Sequence, residues 1–287
     1  MEVSQRRACQ VVGQPRSTQR YVGQRLRLDR PLVQRIRELA GRHPRYGYRR
    51  VTAMLRLEGW SVNRKRVYRL WRAEGLKVPK RQRKRRHLGC GGNGVVRRRA
   101  ERPNHVWTYD FLMDQTSDGR RLKFLPVVDE FTRENLALEV ERRMTAEEVV
   151  EVLKELFVLR GAPQYLRSDN GPEFIAEAIK TWLRDSGVET LFIEPGAPWE
   201  NAYIESFNGK LRDELLDREE FGSLLEAKVL AGQYRAEYNH RRPHSALGYR
   251  TPAAFAGAWA PPGLATLGPA EPTREGSQNL TLIAVGT

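Results

Sequence analysis

An α/β fold with a mixed five-stranded sheet flanked by helices, preceded by an all-α unit, is predicted by three observations on the 287-residue sequence. Charge divides the chain: residues 1–100 hold 29 Lys or Arg and 5 Asp or Glu, a net of +24, while the remainder holds 21 and 30, a net of −9. The basic half carries short amphipathic helical patterns. The acidic half shows strands in succession, then strands alternating with helices. With 40% hydrophobic and 30% charged residues, the composition excludes collagen-like, low-complexity and disordered classes. Two cysteines, Cys9 and Cys90, exclude a disulfide scaffold and an all-cysteine zinc site. No window approaches the roughly eighteen apolar residues of a membrane span, and the N-terminus has no apolar signal region, so a cytoplasmic protein is expected.

After a basic extension over residues 1–29, three helices are expected in 30–76. The first runs from Pro31 to Ala40, with Leu32, Val33, Ile36, Leu39 and Ala40 at helical spacing. The second runs from about Tyr48 to Glu58, with Val51, Met54 and Leu55 on one face and Gly59 as a stop. The third starts after Ser61 or Asn63, either of which can cap it, and buries Val67, Leu70 and Trp71. Its cations Arg64, Lys65, Arg66, Arg69 and Arg72 are then left for a polyanion. Three short helices with a basic last one suggest a DNA-binding helix-turn-helix; a plain three-helix bundle with a charged exterior is the alternative. Residues 77–103 read as a flexible cationic connector, with seven Lys or Arg within 77–86, suited to tracking phosphates.

From residue 104 to 256 the pattern is that of a separate core. Val106 to Leu112 and Leu122 to Val128 are β-rich and flank the turn Ser117-Asp118-Gly119; Asn135 to Glu141 follows as a third strand. Thr145 and Glu148 form a capping box that opens a helix to about Leu159. Then come a strand at Tyr165 to Ser168, a helix at Pro172 to Ser186, a strand at Glu189 to Ile193 and a long helix from Glu200 to about Leu216. Residues 257–287 are expected to be a loose tail.

Three carboxylates occupy positions that a sheet-based site favours. Asp110 lies among apolar strand residues, where a charge needs a partner or a metal. Asp169 follows the fourth strand, at the edge where open sheets present ligands. Glu205 lies one helical turn after Asn201. Three such groups meeting at one edge bind hard divalent cations, and two ions about 3.5–4 Å apart suit phosphoryl transfer. Surface charge is the plain alternative for each. His240 and His244 are spaced like a metal pair, but Pro243 disfavours a regular helix between them and no Glu follows His240, so a structural or DNA-facing role is expected. Asp129 and Glu173 read as supporting or surface groups, and Tyr109 as packing.

Arg167 to Phe174 and Pro195 to Lys210 resemble the integrase core of insertion-sequence transposases in the IS-three family, with 35 residues between Asp169 and Glu205 as in that family's Asp-Asp-Glu pattern. Trp107 to Phe111, Val127 to Arg133 and Tyr238 to Tyr249 match as well, so that the likeness covers roughly residues 30–256. The resemblance implies a ribonuclease-H-like core that uses two Mg²⁺ or Mn²⁺ ions, held by Asp110, Asp169 and Glu205, to cleave at element ends. A free 3′ hydroxyl then joins to another DNA strand without a covalent protein–DNA intermediate. It implies double-stranded DNA ends and target as partners, a homo-multimer on DNA, and an upstream-frame product fused or associated, since nothing of that kind precedes Met1. Beyond Glu205, Arg212 falls two turns on and Lys210 one place off that face; with Asn201 they are candidate DNA contacts. No His-His-Cys-Cys module precedes the core, and the helix-turn-helix takes its place. A DNA-binding regulator without activity and a ribonuclease-H-like hydrolase are the rival functions.

Overall fold

The computed structural model describes residues 3–21, 24–78, 99–168, 177–192 and 201–260. The expected connector, the region around Asp169 and Glu173, residues 193–200 and the tail beyond 260 therefore lie wholly or largely outside the described residues. In the segment expected as an extension, α1 (Gln5–Val11) is capped by Ser4, whose hydroxyl accepts from Arg7 N, and α2 (Arg16–Arg20) follows. The next helix, α3 (Gln24–Arg42), begins seven residues before the expected Pro31 and holds that proline inside it. Pro31 gives up one N–H bond, but Leu32, Ile36 and Leu39 bury on one face and hold the helix against its neighbours. These are α4 (Tyr48–Leu57) and α5 (Arg64–Ala73), the latter capped by Asn63, which accepts from Lys65 N at 2.8 Å. Val51, Leu55, Val67, Leu70 and Trp71 close the small core, as their spacing predicts.

The sheet comprises β1 (Val106–Tyr109), β2 (Leu112–Gln115), β3 (Arg121–Asp129), β4 (Asn135–Glu141), β5 (Tyr165–Ser168) and β6 (Glu189–Phe192). β3 pairs antiparallel with β1, β2 and β4, whereas β5 is parallel to both β1 and β6. Tyr109 pairs with Val127 and Leu112 with Phe124, so one register runs through β1 and β2. The strand expected from Val106 to Leu112 is thus interrupted at Asp110-Phe111, and pairing resumes at Leu112 to run three residues beyond its expected end, to Gln115. Six segments thus fill five lateral positions, in the ribonuclease-H-like arrangement of three antiparallel positions followed by two parallel ones.

Successive strand residues face opposite sides of a sheet, and β3 divides its side chains accordingly. Leu125 and Val127 join Trp107, Leu153 and Leu183 in the layer beneath α6 (Ala146–Arg160) and α7 (Glu177–Asp185). Leu122 and Phe124 join Ile204, Phe207 and Tyr238 beneath α8 (Ala202–Leu211) and α9 (Leu224–His240). The expected long helix is thus α8 followed by a π-helical turn, Arg212–Leu216. Asn239 fixes the end of α9 to the start of β4: it accepts from Asn135 N and donates to Asn135 O, both at 2.9 Å. Finally, α10 (Pro252–Gly257), capped by Thr251, sets Phe255 against Phe131.

The helical unit rests on the core through the α3–α4 turn. Arg45 pairs with Asp213 at 3.1 Å, Arg218 donates to Arg42 O, and Arg242 lies over the Tyr46 ring at 5.6 Å. No helix among the described residues is long and apolar enough to cross a membrane.

Candidate active site at the carboxyl edge of the sheet

Thr108 and Asp110 are two residues apart and so share the α8 face of the sheet. Thr108 donates its hydroxyl to Asn201 Oδ1 at 3.0 Å, and Asp110 Oδ2 accepts from Asn208 Nδ2 at 2.8 Å. The two asparagines stand about two turns apart on one stripe, so the helix is pinned across the end of β1. The other oxygen of Asp110 accepts from Phe111 N at 2.8 Å. That bond turns the Phe111 amide to the carboxylate and accounts for the gap between β1 and β2, so Asp110 stands just past its strand rather than within it. Glu205 lies four residues after Asn201 and three before Asn208, next round the helix from them, and is exposed. Asp110 and Glu205 are therefore carried to one edge by two elements locked together.

The third carboxylate of the expected trio, Asp169, lies outside the described residues. The strand that leads to it is described. β5 runs parallel to β1 with Thr108 opposite Arg167, so both strands leave the sheet at this edge. Arg167 is buried and pairs with the equally buried Glu130 at 2.9 Å. Asp129 accepts from Asn104 N, Phe131 N and Thr132 N at 2.7–2.8 Å and so builds the turn after β3. Burial pushes its carboxyl up, against those three hydrogen bonds. It is a supporting group, as the sequence suggests, and Tyr109 is buried packing. Among the described residues no group of three or more His, Cys, Asp or Glu side chains gathers closely enough to hold a metal.

Of the candidate DNA contacts, Arg64, Lys65 and Arg72 are exposed on α5. Arg66 and Arg69 instead grip the buried Asp29, which takes Arg66 Nη2 on Oδ1 at 2.6 Å and Arg69 Nη2 on Oδ2 at 2.8 Å. Arg212 is exposed at the end of α8. Asn201, by contrast, is buried and committed to Thr108. Lys210 folds back along α8, donating to Ser206 O and Oγ at 2.8 and 2.7 Å. Burial, and then the charge of Arg242, pushes its amine down to about 7. His240 ends α9, and His244 is buried with Nε2 3.3 Å from the Tyr238 hydroxyl; the two do not sit on one regular helix. Sequence reasoning missed Asn208 and Asp29. A polar residue on the packed side of α8, three places from Glu205, was the signal for the first; an acid among basic helices was the signal for the second.

Family models described as "Integrase core domain" match residues 100–198 and 186–252, and one described as "HTH-like domain" matches 27–85. The chain is 42% identical over 261 residues to a 31.7 kDa protein of insertion element IS407 from Burkholderia multivorans, covering 89% of this chain and 91% of that one. It is 42% identical over 254 residues to a 39.2 kDa protein of insertion element IS476 from Xanthomonas euvesicatoria, covering 88% and 72%. It is 31% identical over 241 residues to the transposase InsD of insertion element IS2D from Escherichia coli, covering 78% and 77%. Among solved structures, the integrase catalytic core of HTLV-2, in complex with magnesium, is similar at a TM-score of 0.44 and 18% identity, covering 55% of this chain and 99% of that one.

Proposed function

The chain belongs to the IS-three family of insertion-sequence transposases, and from that premise we propose that it cleaves DNA at element ends and joins the freed 3′ hydroxyl to a target phosphodiester, with Asp110, Asp169 and Glu205 as the metal-holding carboxylates. The observation that carries this reading is the hydrogen bond from Asn208 to Asp110, which brings the helix bearing Glu205 against the end of β1. The parallel exit of β5 beside β1 supports placing Asp169 with them. The donor set is all carboxylate oxygen, the kind that hard divalent cations such as Mg²⁺ or Mn²⁺ take. When bound, such ions activate the attacking oxygen and stabilise the leaving oxygen of a phosphodiester.

The chain's own residues position the reacting groups. Asn208 and the Phe111 amide each engage one oxygen of Asp110 and so fix the plane of its carboxylate. Asn201 and Thr108 hold the start of α8, which sets how far Glu205 reaches. On α5, Arg64, Lys65 and Arg72 face outward to take DNA phosphates, and Arg66 and Arg69 present an edge held by Asp29. Arg212 extends the DNA track beyond Glu205. Hydrolysis and direct hydroxyl attack need no nucleophile from the protein. Joining two ends calls for more than one copy on DNA, and an associated upstream-frame product is part of this reading.

The test is strand joining in the presence of magnesium, with the DNA that borders the element, a labelled 3′ hydroxyl end and a target plasmid. Wild type transfers label into plasmid. Glu205→Gln binds the ends equally but loses joining by more than about a hundredfold, beyond what an outer-shell change at a metal site costs. Equal joining by Glu205→Gln, or cleavage of RNA–DNA hybrid with no joining, overturns the reading.

A further inference from the structure

Where the helical unit meets the core, five nitrogen-bearing side chains from separate parts of the chain come together. Arg50 comes from α4, Arg133 from the turn after β3, Lys210 from α8, and Arg242 and His244 from the segment between α9 and α10. The Arg50 and Arg242 guanidinium carbons lie 5.2 and 5.6 Å from the centre of the same Tyr46 ring. Arg242 is also 5.4 Å from the Tyr238 ring, whose hydroxyl meets His244. Arg133 lies 3.7 Å above Tyr203, on the first turn of α8. Arg50, Arg133 and Arg242 act electrostatically on both Lys210 and His244.

Among the described residues, Glu214 is the carboxylate that acts on Lys210, while Asp213, Asp217, Glu219 and Glu237 line the adjoining cavity beside Tyr46 and Arg242. Glu214 is already committed, accepting from Nε and Nη2 of Arg242 at 2.7 and 2.5 Å. That leaves Arg242 Nη1 buried and without a hydrogen-bond partner among the described residues, as are one Nη of Arg133 and Nδ1 of His244. Arg242 itself is only 2% exposed. A buried guanidinium edge without an acceptor costs free energy, and neighbouring cations add to that cost. Such a cluster persists where an anion is to be received.

We propose that Arg50, Arg133, Lys210, Arg242 and His244 form a seat for a phosphate group between the helix-turn-helix and the catalytic core. Donors arriving from several elements suit a tetrahedral anion with several acceptor oxygens, whereas a planar carboxylate is served by one guanidinium fork. An occupied seat ties α4 to α8, the helix that carries Glu205, and so couples the DNA-reading unit to the catalytic edge. Burial holds the Lys210 amine down at about 7 in the empty seat, and an arriving anion favours its protonated form. The phosphate is either a DNA backbone group or a free phosphate. Only the first of these rests on the function proposed above.

Thermal unfolding of the full chain in inorganic phosphate, against chloride at equal ionic strength and without metal or DNA, tests the seat. Phosphate is expected to raise the midpoint in proportion to the logarithm of its concentration. Arg50→Gln and Lys210→Gln each abolish the rise, while Arg120→Gln, altered at an exposed pair far from the seat, keeps it. No rise beyond chloride, or the same rise in all variants, overturns the proposal. Salt-dependent binding to duplex DNA without element ends then identifies the source. A slope reduced by about 1 in each seat variant assigns a DNA phosphate; an unchanged slope with the phosphate response lost assigns a free phosphate to the same seat. Neither measurement involves strand joining, so a failure of the catalytic reading leaves the result intact.

Discussion

Two ion pairs, one in each half of the molecule, stand next to the residues proposed to act, and they differ in what surrounds them. In the core, Arg167 and Glu130 are both buried, with side chains 5% and 0% exposed. In the helical unit, Asp29 is buried at 8% but its partners Arg66 and Arg69 remain 38% and 54% exposed. The core pair fixes the backbone of the strand that leads to Asp169; neither charge faces the solvent. The helical pair holds two arginines by one edge and leaves their other nitrogens outside, where a phosphate or a base can reach them. A buried pair therefore serves position, and a half-buried pair serves presentation. Removing one partner should hurt folding in the first case and recognition in the second.

The largest expected effect is that of Glu130→Gln. It takes one charge from the buried pair with Arg167, and breaking a buried pair costs about 3–5 kcal/mol. Urea unfolding of the full chain should show that loss, and a cost below about 1 kcal/mol would erase the distinction between the two pairs. Asp29→Asn acts more gently. It frees Arg66 and Arg69 and lowers the unfolding midpoint less than Glu130→Gln does, because both arginines stay partly in solvent. Binding to duplex DNA of arbitrary sequence should tighten, with its salt slope steeper by about 1. An unfolding loss as large as that of Glu130→Gln, with unchanged binding, would reverse the roles assigned here.

What could be read from the sequence depended on how local its cause was. The capping box at the start of α6 is a contact within one turn, Thr145 Oγ1 accepting from Glu148 N and Glu148 Oε2 from Thr145 N, and it forms as read. The buried faces of α4 and α5 follow from spacing alone. The break between β1 and β2 was not legible, because Asp110 turns toward Asn208, 98 residues away. The early start of α3 is tied to Arg66 and Arg69, 37 and 40 residues beyond Asp29. The same holds for the π-helical turn after α8, where Glu214 is drawn to Arg242. Asp110 and Glu205 are candidates through motif likeness alone, since nothing periodic distinguishes a metal-holding carboxylate from a surface one. Asn201 shows the reverse: helical spacing put it on the face of Glu205, but only the fold puts Thr108 against it.

The central claim is that Asp110, Asp169 and Glu205 together hold divalent metal. Manganese binding followed by electron paramagnetic resonance on the full chain, with and without duplex DNA, tests it without relying on turnover. Two bound ions per chain in the wild type, with at least one lost in each of Asp110→Asn, Asp169→Asn and Glu205→Gln, is the predicted result. Equal manganese occupancy in all four proteins would contradict it.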